Sequence, residues 1–271
     1  MDSKDMQVIG VCRFSYPALG GFQVEHETAE DRMAFLYAPE RMEERFRLFE
    51  AFTLPPLRAQ TDPDFTFLVI VGDTMPDAYR ARLEQLLADI PQTVVAAYPP
   101  APHRDIMKVA INAVRRESKH HCLQFRMDDD DAVNIRFVER LRERVNDVHT
   151  LIRRNKNVAI DFSQGYIASA GPEGIKGKPT MEHLWTAGLA MTVSPKSDIT
   201  ILNFGHSKMG KFMPVVSFAG EDMFIRGHND FNDSRQKGAK PLNLPLLDAE
   251  DEAHFKRVFN IDADHVRALF S

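Results

Sequence analysis

The sequence predicts an α/β fold in which a mostly parallel central sheet is flanked by helices on both faces. The first half of the chain alternates short apolar runs with amphipathic segments, and the runs are bounded by glycine, proline or aspartate turn signals. A chain of 271 residues with 44% hydrophobic content can bury a substantial core. This alternation is typical of parallel sheets, in which ligands bind beyond the carboxyl ends of the strands.

The first 131 residues are predicted to contain four strands with helices between them. Residues 8–14 form an apolar run that ends at Ser15-Tyr16-Pro17, which predicts a buried first strand followed by a turn. Between residues 39 and 60 the apolar positions fall at helical spacing, and Pro55-Pro56 indicates a kink or a break. The remaining predicted elements are strands at 65–71, 93–97 and 122–125 and helices at 76–90 and 104–116.

The second half of the chain is less regular. Strands are predicted at 158–162 and 189–193, with a glycine-rich hairpin or loop at 164–178. A helix is predicted at 134–141, and a turn at Gly220 is predicted to open a short helix that reaches residue 226. Because there is neither an internal repeat nor a recognisable linker, we expect a single domain over residues 1–271, with halves at 1–131 and 132–271.

Composition limits the classes of partner. The net charge of −5 and the pI of about 6.1 argue against bulk attraction to nucleic acid or to an anionic membrane, although local peripheral membrane contact stays open. The two cysteines, Cys12 and Cys122, lie in apolar runs, which predicts buried, reduced thiols and a cytoplasmic location. The chain starts with polar residues and has no apolar run of about 18 residues, so we expect neither a signal peptide nor a membrane span.

Four consecutive aspartates, at positions 128–131, directly follow the fourth predicted strand. Carboxylates this close raise one another's pKa, so a site that keeps them ionised usually holds a divalent metal or basic side chains. Oxygen ligands favour a hard ion, Mg²⁺ or Mn²⁺. The alternative is a solvated loop in which an aspartate caps the following helix, and the residues alone leave both interpretations open.

Four segments with polar side chains fall at the predicted carboxyl ends of strands. Because these ends meet at one edge of a parallel sheet, we expect the four segments to line a common site. They are residues 13–16 with Arg13 and Ser15, the Gly72-Asp73 turn, the proline-rich loop that leads to His103 and Arg104, and the aspartates at 128–131.

Three stretches resemble glycosyltransferases of family two, which have the nucleotide-sugar-binding, Rossmann-like GT-A fold. Residues 54–73 resemble that family's helix, "AQT", strand and acidic nucleotide-contacting turn; residues 110–112 with 123–131 resemble the approach to its DxD motif, here "DxDD"; and residues 220–222 resemble its late acidic pair. The turn at Asp73 departs from the commoner pattern of two adjacent acids.

Over most of its length the chain is similar to the family of putative rhamnosyltransferases. The shared motifs are Arg13-Phe14-Ser15, Phe52-Thr53-Leu54-Pro55, Gln124-Phe125-Arg126, Trp185-Thr186-Ala187-Gly188 and Phe231-Asn232-Asp233-Ser234-Arg235. The resemblance implies an inverting, metal-dependent glycosyltransferase that moves a sugar, by the family's label rhamnose, from a nucleotide diphosphate sugar to a saccharide or glycolipid acceptor. Residues 1–131 would then bind the nucleotide, and residues 132–271 would supply the acceptor and catalytic half.

Roles for individual residues follow from this chemistry. Transfer leaves charge on the diphosphate and requires removal of a proton from the acceptor. Asp130 would hold Mn²⁺ or Mg²⁺, helped by Asp128 or Asp131, with His228 as a further candidate ligand. Asp222 would act as the general base, with Glu221 as the alternative. The candidate substrate-binding residues are Arg13, Ser15, Asp73, Arg104, Asp128, Trp185, Arg226 and Arg235.

Two other functions compete with this interpretation. A sugar nucleotidyltransferase would need a glycine-rich phosphate loop with a basic residue after the first strand, whereas residues 13–17 here read Arg-Phe-Ser-Tyr-Pro. A non-catalytic cation- or carbohydrate-binding module could use the aspartates at 128–131, but it would not account for the alternating first half or for Glu221 and Asp222.

Overall fold

The computed structural model describes residues 3–20, 28–229 and 242–271. The strands in this part of the chain are β1 (Val8–Arg13), β2 (Thr66–Gly72), β3 (Thr93–Tyr98), β4 (Cys122–Met127), β5 (Ala132–Val133), β6 (Asn157–Phe162), β7 (Gln164–Gly171), β8 (Gly174–Met181), β9 (Leu189–Val193), β10 (Val215–Phe218) and β11 (Phe224–Gly227). The α-helices are α1 (Ala29–Leu36), α2 (Pro39–Leu48), α3 (Leu54–Arg58), α4 (Asp77–Leu87), α5 (His103–Ala113), α6 (Phe137–Asp147), α7 (His149–Arg154), α8 (Ala249–Phe259) and α9 (Ala263–Phe270).

The larger sheet has seven strands in the order β10-β6-β9-β4-β1-β2-β3. Every neighbouring pair is parallel except the two pairs made by β9. The predicted mostly parallel sheet is therefore confirmed, and so are the four strands predicted in the first half. Because β1 and β4 are adjacent and parallel, with Cys12 opposite Met127, the ends of these two strands lie side by side.

The smaller sheet has the order β5-β11-β7-β8 and was not predicted as a separate layer. The glycine-rich segment predicted at 164–178 does form a hairpin, made of β7 and β8. The short helix predicted after Gly220 is wrong, because Phe224 and Ile225 are fully buried and their backbones pair with β5 on one side and β7 on the other. The helix predicted from residue 134 begins at Phe137, because Ala132 and Val133 form β5 before it.

The segment predicted as helical between residues 39 and 60 is helical from Pro39 to Arg58, but the helix is not regular. The α-helix α2 passes into a π-helical turn, Phe49–Thr53, which is followed by α3. Pro55 and Pro56 lie in the first turn of α3, where the proline nitrogen needs no intrahelical acceptor. The π turn carries Phe49 into the core, where its ring meets Phe14 edge to face at 5.1 Å.

The core has one cluster on each face of the larger sheet and a third beneath the smaller sheet. Cys12 and Cys122 are buried free thiols, as predicted, and burial raises the pKa of the Cys122 thiol to about 12. Among the described residues no helix has the length and apolar character needed to cross a membrane.

Gly10 in β1 is required by the ring of Phe125 on the neighbouring strand, because a Cβ at this position would overlap that ring. We expect Gly10→Ala to lower the free energy of unfolding by about 1–3 kcal/mol through overpacking, measured by urea denaturation. Gly210→Ala is the matched control, since its nearest neighbour would be 3.8 Å away, at ordinary contact distance. Equal denaturation midpoints for the two variants would contradict this packing.

Candidate active site

The four aspartates at 128–131, here called the acid turn, lie at the carboxyl edge of the larger sheet, directly after β4. Arg13 is the last residue of the neighbouring strand β1, and its Nη2 lies 3.3 Å from Oδ1 of Asp128. Arg226 in β11 reaches the same turn, with Nη1 3.1 Å from Asp128 Oδ2 and 3.2 Å from Asp131 Oδ2. The structure thus brings together five residues that the sequence nominated: Arg13, Asp128, Asp130, Asp131 and Arg226.

The four carboxylates have different surroundings. The side chain of Asp128 is 29% exposed, whereas that of Asp131 is fully buried and accepts hydrogen bonds from the backbone nitrogens of Asp128 and Gly227, both at 3.1 Å. Asp129 is buried against Arg45, with an N–O distance of 2.7 Å. Asp130 is buried 3.6 Å from Arg45 and accepts a hydrogen bond of 2.6 Å from Asn229. A solvated loop, the alternative interpretation, is therefore wrong for three of the four.

Burial and the surrounding arginines act on these carboxyl groups in opposite directions. Burial raises the pKa of Asp129 to about 6 and that of Asp131 to about 7, although Arg45 and Arg226, respectively, oppose the shift. Burial also acts to raise the pKa of Asp128, but Arg226 and Arg13 outweigh it and hold that pKa below its usual range. Asp128 is thus ionised at neutral pH and is the most accessible acid of the turn.

The donor set of the acid turn fits a hard divalent ion. Oxygen atoms of Asp128, Asp130 and Asp131 lie within 4.8 Å of one another, and carboxylate oxygens are the ligands that Mg²⁺ and Mn²⁺ prefer. Arg226 contacts two of these three groups, so its guanidinium and a metal ion would share the carboxylates of Asp128 and Asp131. His228, the further candidate ligand, follows β11 and donates its backbone N–H to Ala168.

Two other nominated residues lie at the same edge. Ser15 is buried after β1 with a left-handed φ of 48°, and its hydroxyl accepts a hydrogen bond of 3.0 Å from Arg41. Asp73 is exposed after β2, and its backbone N–H donates to Tyr98 at the end of β3. The site predicted at Asp73 therefore lies one strand beyond β1, on the side away from the acid turn.

Arg104 and Trp185 lie on elements that flank the edge. Arg104 is exposed in the first turn of α5. Trp185 precedes β9, with its ring 6.0 Å from that of Phe224. The loop before it is held by the buried carboxylate of Asp161, which accepts a hydrogen bond of 2.9 Å from the backbone of Leu184 at a positive φ of 60°.

Glu221 and Asp222 are the two candidate bases, and the structure does not bring them into contact with the acid turn. They precede β11, whereas Arg226 and Gly227, which touch the acid turn, lie near its end. Four residue steps lead from Asp222 to Arg226, and at about 3.3 Å per step of extended chain they separate the two backbones by about 13 Å. Glu221 pairs with Arg140 on α6, at 2.6 Å.

Asp222 has polar partners on both carboxylate oxygens. Gln164 donates to Oδ1 at 3.0 Å, and His254 on α8 contacts Oδ2 through Nε2 at 2.9 Å. Arg257 contacts the other ring nitrogen of His254 at 2.9 Å. Because a guanidinium only donates, that nitrogen is the acceptor, and Nε2 carries the proton that is donated to Asp222.

Arg235, together with the rest of the Phe231–Arg235 motif, lies outside the described residues. The residues that sequence reasoning missed as site elements are the buried arginines Arg41 and Arg45 and the half-buried Arg126. A signal for the first two was available, because Arg41 and Arg45 share the apolar face of α2 with Met42, and arginine on a buried helical face needs an acid. Arg126 belongs to the Gln124-Phe125-Arg126 motif, which by itself indicates no role for the arginine.

A comparison with known protein families identifies the family of this chain. The family described as "Putative rhamnosyl transferase" matches residues 7–241. The chain belongs to this family. It is therefore a member of a glycosyltransferase family, as its motifs predict. No match is found among the curated proteins.

Solved structures give more distant likenesses. TarS 1-349 from S. aureus in complex with UDP is 8% identical, with a TM-score of 0.46 over 82% of this chain and 60% of that one. The same protein with UDP-GlcNAc is 8% identical, with a TM-score of 0.44 over 84% and 60%. A "Putative Glucose-1-Phosphate Thymidylyltransferase" from Bacillus anthracis is 9% identical, with a TM-score of 0.35 over 81% and 88%. The chain covers only 60% of the length of the TarS structures. At this level of similarity the roles of individual residues do not transfer.

Removal of Arg45 should destabilise the protein strongly. Arg45→Met leaves Asp129 and Asp130 buried without their cation, so we expect a loss of about 3–5 kcal/mol in the free energy of unfolding. Arg80→Met, which breaks an exposed pair with Glu84, should cost less than about 1 kcal/mol and serves as control.

The deficit of Arg45→Met should also depend on pH. Burial already raises the pKa of Asp129 and Asp130, and loss of Arg45 raises both further, so the penalty is present when the acids are ionised and shrinks as they are protonated. Chemical denaturation of the wild type, Arg45→Met and Arg80→Met at pH 8 and pH 5 measures how the deficit changes with pH. A deficit of the same size at both values would contradict the charge balance described for the acid turn.

Proposed function

We propose that the chain is an inverting, metal-dependent glycosyltransferase that moves a sugar, by the family's description rhamnose, from a nucleoside diphosphate sugar to a hydroxyl of a saccharide or glycolipid acceptor. The observation that carries the proposal is the acid turn itself. An accessible ionised carboxylate, Asp128, lies between two arginines at the carboxyl edge of a mostly parallel sheet, where ligands of such sheets bind. We propose a cytoplasmic location, in keeping with the buried free thiols.

The chemistry of transfer makes two demands on the protein. Negative charge develops on the leaving diphosphate as the anomeric bond breaks, and fixed cations stabilise it. A Mg²⁺ or Mn²⁺ ion bound by Asp128 with Asp130 or Asp131 would supply Lewis acidity to the phosphate oxygens. The acceptor hydroxyl must also lose its proton to a base on the opposite side of the sugar.

Asp222 is the proposed base, because its surroundings suit a proton acceptor better than those of Glu221. Glu221 is held in ion pairs with Arg140 and Arg136, whereas the donors to Asp222 are the neutral Gln164 and His254. The hydrogen bond from His254 orients the carboxylate of Asp222. The backbone separation of about 13 Å between Asp222 and Arg226 requires the sugar and the acceptor to occupy the space between the acid turn and this base.

Donor binding should depend on the metal ion and on Asp128. We expect Mn²⁺ with one member of a panel of nucleoside diphosphates and nucleotide sugars to raise the melting temperature, because a ligand that binds only the folded state stabilises it. Asp128→Asn and Asp130→Ala should abolish the shift, while Asp89→Asn, an exposed aspartate paired with Arg58, should retain it. Failure of every nucleotide to shift the wild-type protein would argue for a cation-binding module instead.

Replacement of the base should separate turnover from binding. Asp222→Asn should lower kcat by about 10²- to 10⁴-fold without loss of the donor-induced thermal shift, because the base acts only on the acceptor. Glu221→Gln is the matched control and should retain most of the turnover. The turnover of the two variants is measured with the donor identified by thermal shift and a mixture of acceptors, and mass spectrometry detects the transferred sugar. Loss of turnover in Glu221→Gln with retention in Asp222→Asn would reverse the assignment.

A further inference from the structure

Arg126 is an arginine within a buried strand of the central sheet. It is the fifth of the six residues of β4, and the alternation of side chains places it on the same face as Cys122 and Gln124, which are buried. On the adjacent strand its register partner is Val11, so Arg13 lies two residues further along the same face. Arg126 therefore points to the face that is covered by α5, at the edge where the acid turn begins.

The guanidinium of Arg126 takes no part in the polar contacts that the described residues make with one another. None of the described residues forms a hydrogen bond or a salt bridge with it, and its Nε is sealed from solvent without an acceptor. The nearest acid by sequence, Asp128, is instead bound by Arg13 and Arg226. Arg126 is half-buried at the edge of the sheet, and a sealed donor without an acceptor costs free energy, which a ligand that accepts hydrogen bonds from the guanidinium would offset.

The surroundings of Arg126 contain charges of both signs. Asp128 and Asp131 act on Arg126 as opposite charges, and Arg13 and Arg226 act on it as like charges. The two nearby histidines, His103 and His206, add no further positive charge. Burial and Arg13 lower the pKa of His103 to about 3, and burial lowers that of His206, so both imidazoles are neutral. Nε2 of His103 is the acceptor for Arg13, at 3.0 Å.

We propose that Arg126, together with Arg13 and Arg226, forms an anion site that binds the diphosphate of the donor directly, through guanidinium hydrogen bonds that need no metal ion. Guanidinium groups bind phosphate oxygens in bidentate geometry, and three of them converge here around a single accessible carboxylate. The identity of the ligand rests on the proposed function, whereas the presence of an anion site rests on the arginines alone.

Inorganic pyrophosphate is the appropriate probe, because it carries the diphosphate without a base or a sugar. Binding to the full chain is measured by calorimetry and thermal shift in excess EDTA, for the wild type and for Arg126→Met, Arg126→Lys and Arg116→Met. Arg116 is the matched control, because it precedes the opposite end of β4 and is 65% exposed. We expect Arg126→Met to weaken pyrophosphate binding by about 10- to 100-fold, Arg126→Lys to restore part of it, and Arg116→Met to leave it unchanged.

The stability of the free protein separates a ligand-binding role from a structural one. Because Arg126 has no hydrogen-bond partner among the described residues and its Nε is sealed, Arg126→Met should melt at the same or a higher temperature than the wild type, which a structural arginine would not allow. Two results would overturn the inference: absence of pyrophosphate binding by the wild type in EDTA, or equal affinity of the wild type and Arg126→Met.

The two proposals can fail separately. A nucleotide sugar that binds the wild type and Arg126→Met equally well in Mn²⁺ would leave the proposed function standing and remove the role of Arg126. Pyrophosphate binding that depends on Arg126, without binding of any nucleotide sugar, would uphold the anion site while contradicting the transferase.

Discussion

The charge balance of the acid turn is the constraint on which the architecture of the site depends. Four neighbouring carboxylates, three of them buried, are compatible with a stable fold only if cations compensate them at close range. The compensating arginines come from different elements: Arg13 from β1, Arg45 from α2 and Arg226 from β11. The acid turn can therefore form only when these elements pack against the end of β4. The geometry of the site thus depends on the correct folding of the whole sheet.

Within the acid turn, position decides role. Asp131 is fully buried, binds two backbone N–H groups and anchors the turn to the end of β11. That contact is close, because a Cβ on Gly227 would overlap the backbone carbonyl of Asp130, so glycine is the residue that fits there. Asp128 projects to the surface between Arg13 and Arg226. The buried acids thus fix the geometry in which one accessible acid and its arginines meet a ligand.

The parts of the fold that the sequence predicts are those encoded by local patterns. The strands of the first half and the hairpin at β7 and β8 are continuous apolar or glycine-bounded segments, and their order alone predicts a parallel sheet. β11 escaped prediction because its partners, β5 and β7, are distant in the chain, and the acids before it resemble a helix start. The separation of Asp222 from the acid turn follows from the same missed strand.

The site was predictable to the extent that strand ends share an edge. That rule places Arg13 beside Asp128, but it gives no pairing between helix α2 and the acid turn, which depends on how α2 packs against the sheet. Arg45 could have been nominated from its position on an apolar helical face, although its acid partner could not. Arg126 shows the reverse case, since its position in a strand is clear from sequence but its lack of a partner is visible only in three dimensions.

The central claim is that the acid turn and the arginines around it form the donor diphosphate site. A crystal structure of the protein with Mn²⁺ and the nucleoside diphosphate that stabilises it, with the metal located by anomalous scattering, tests this claim directly. The account predicts a metal peak about 2 Å from an oxygen of Asp128, with the diphosphate in contact with both the metal and the guanidinium of Arg126. A nucleotide bound elsewhere on the sheet, with the contacts of Asp128 to Arg13 and Arg226 unchanged, would contradict it.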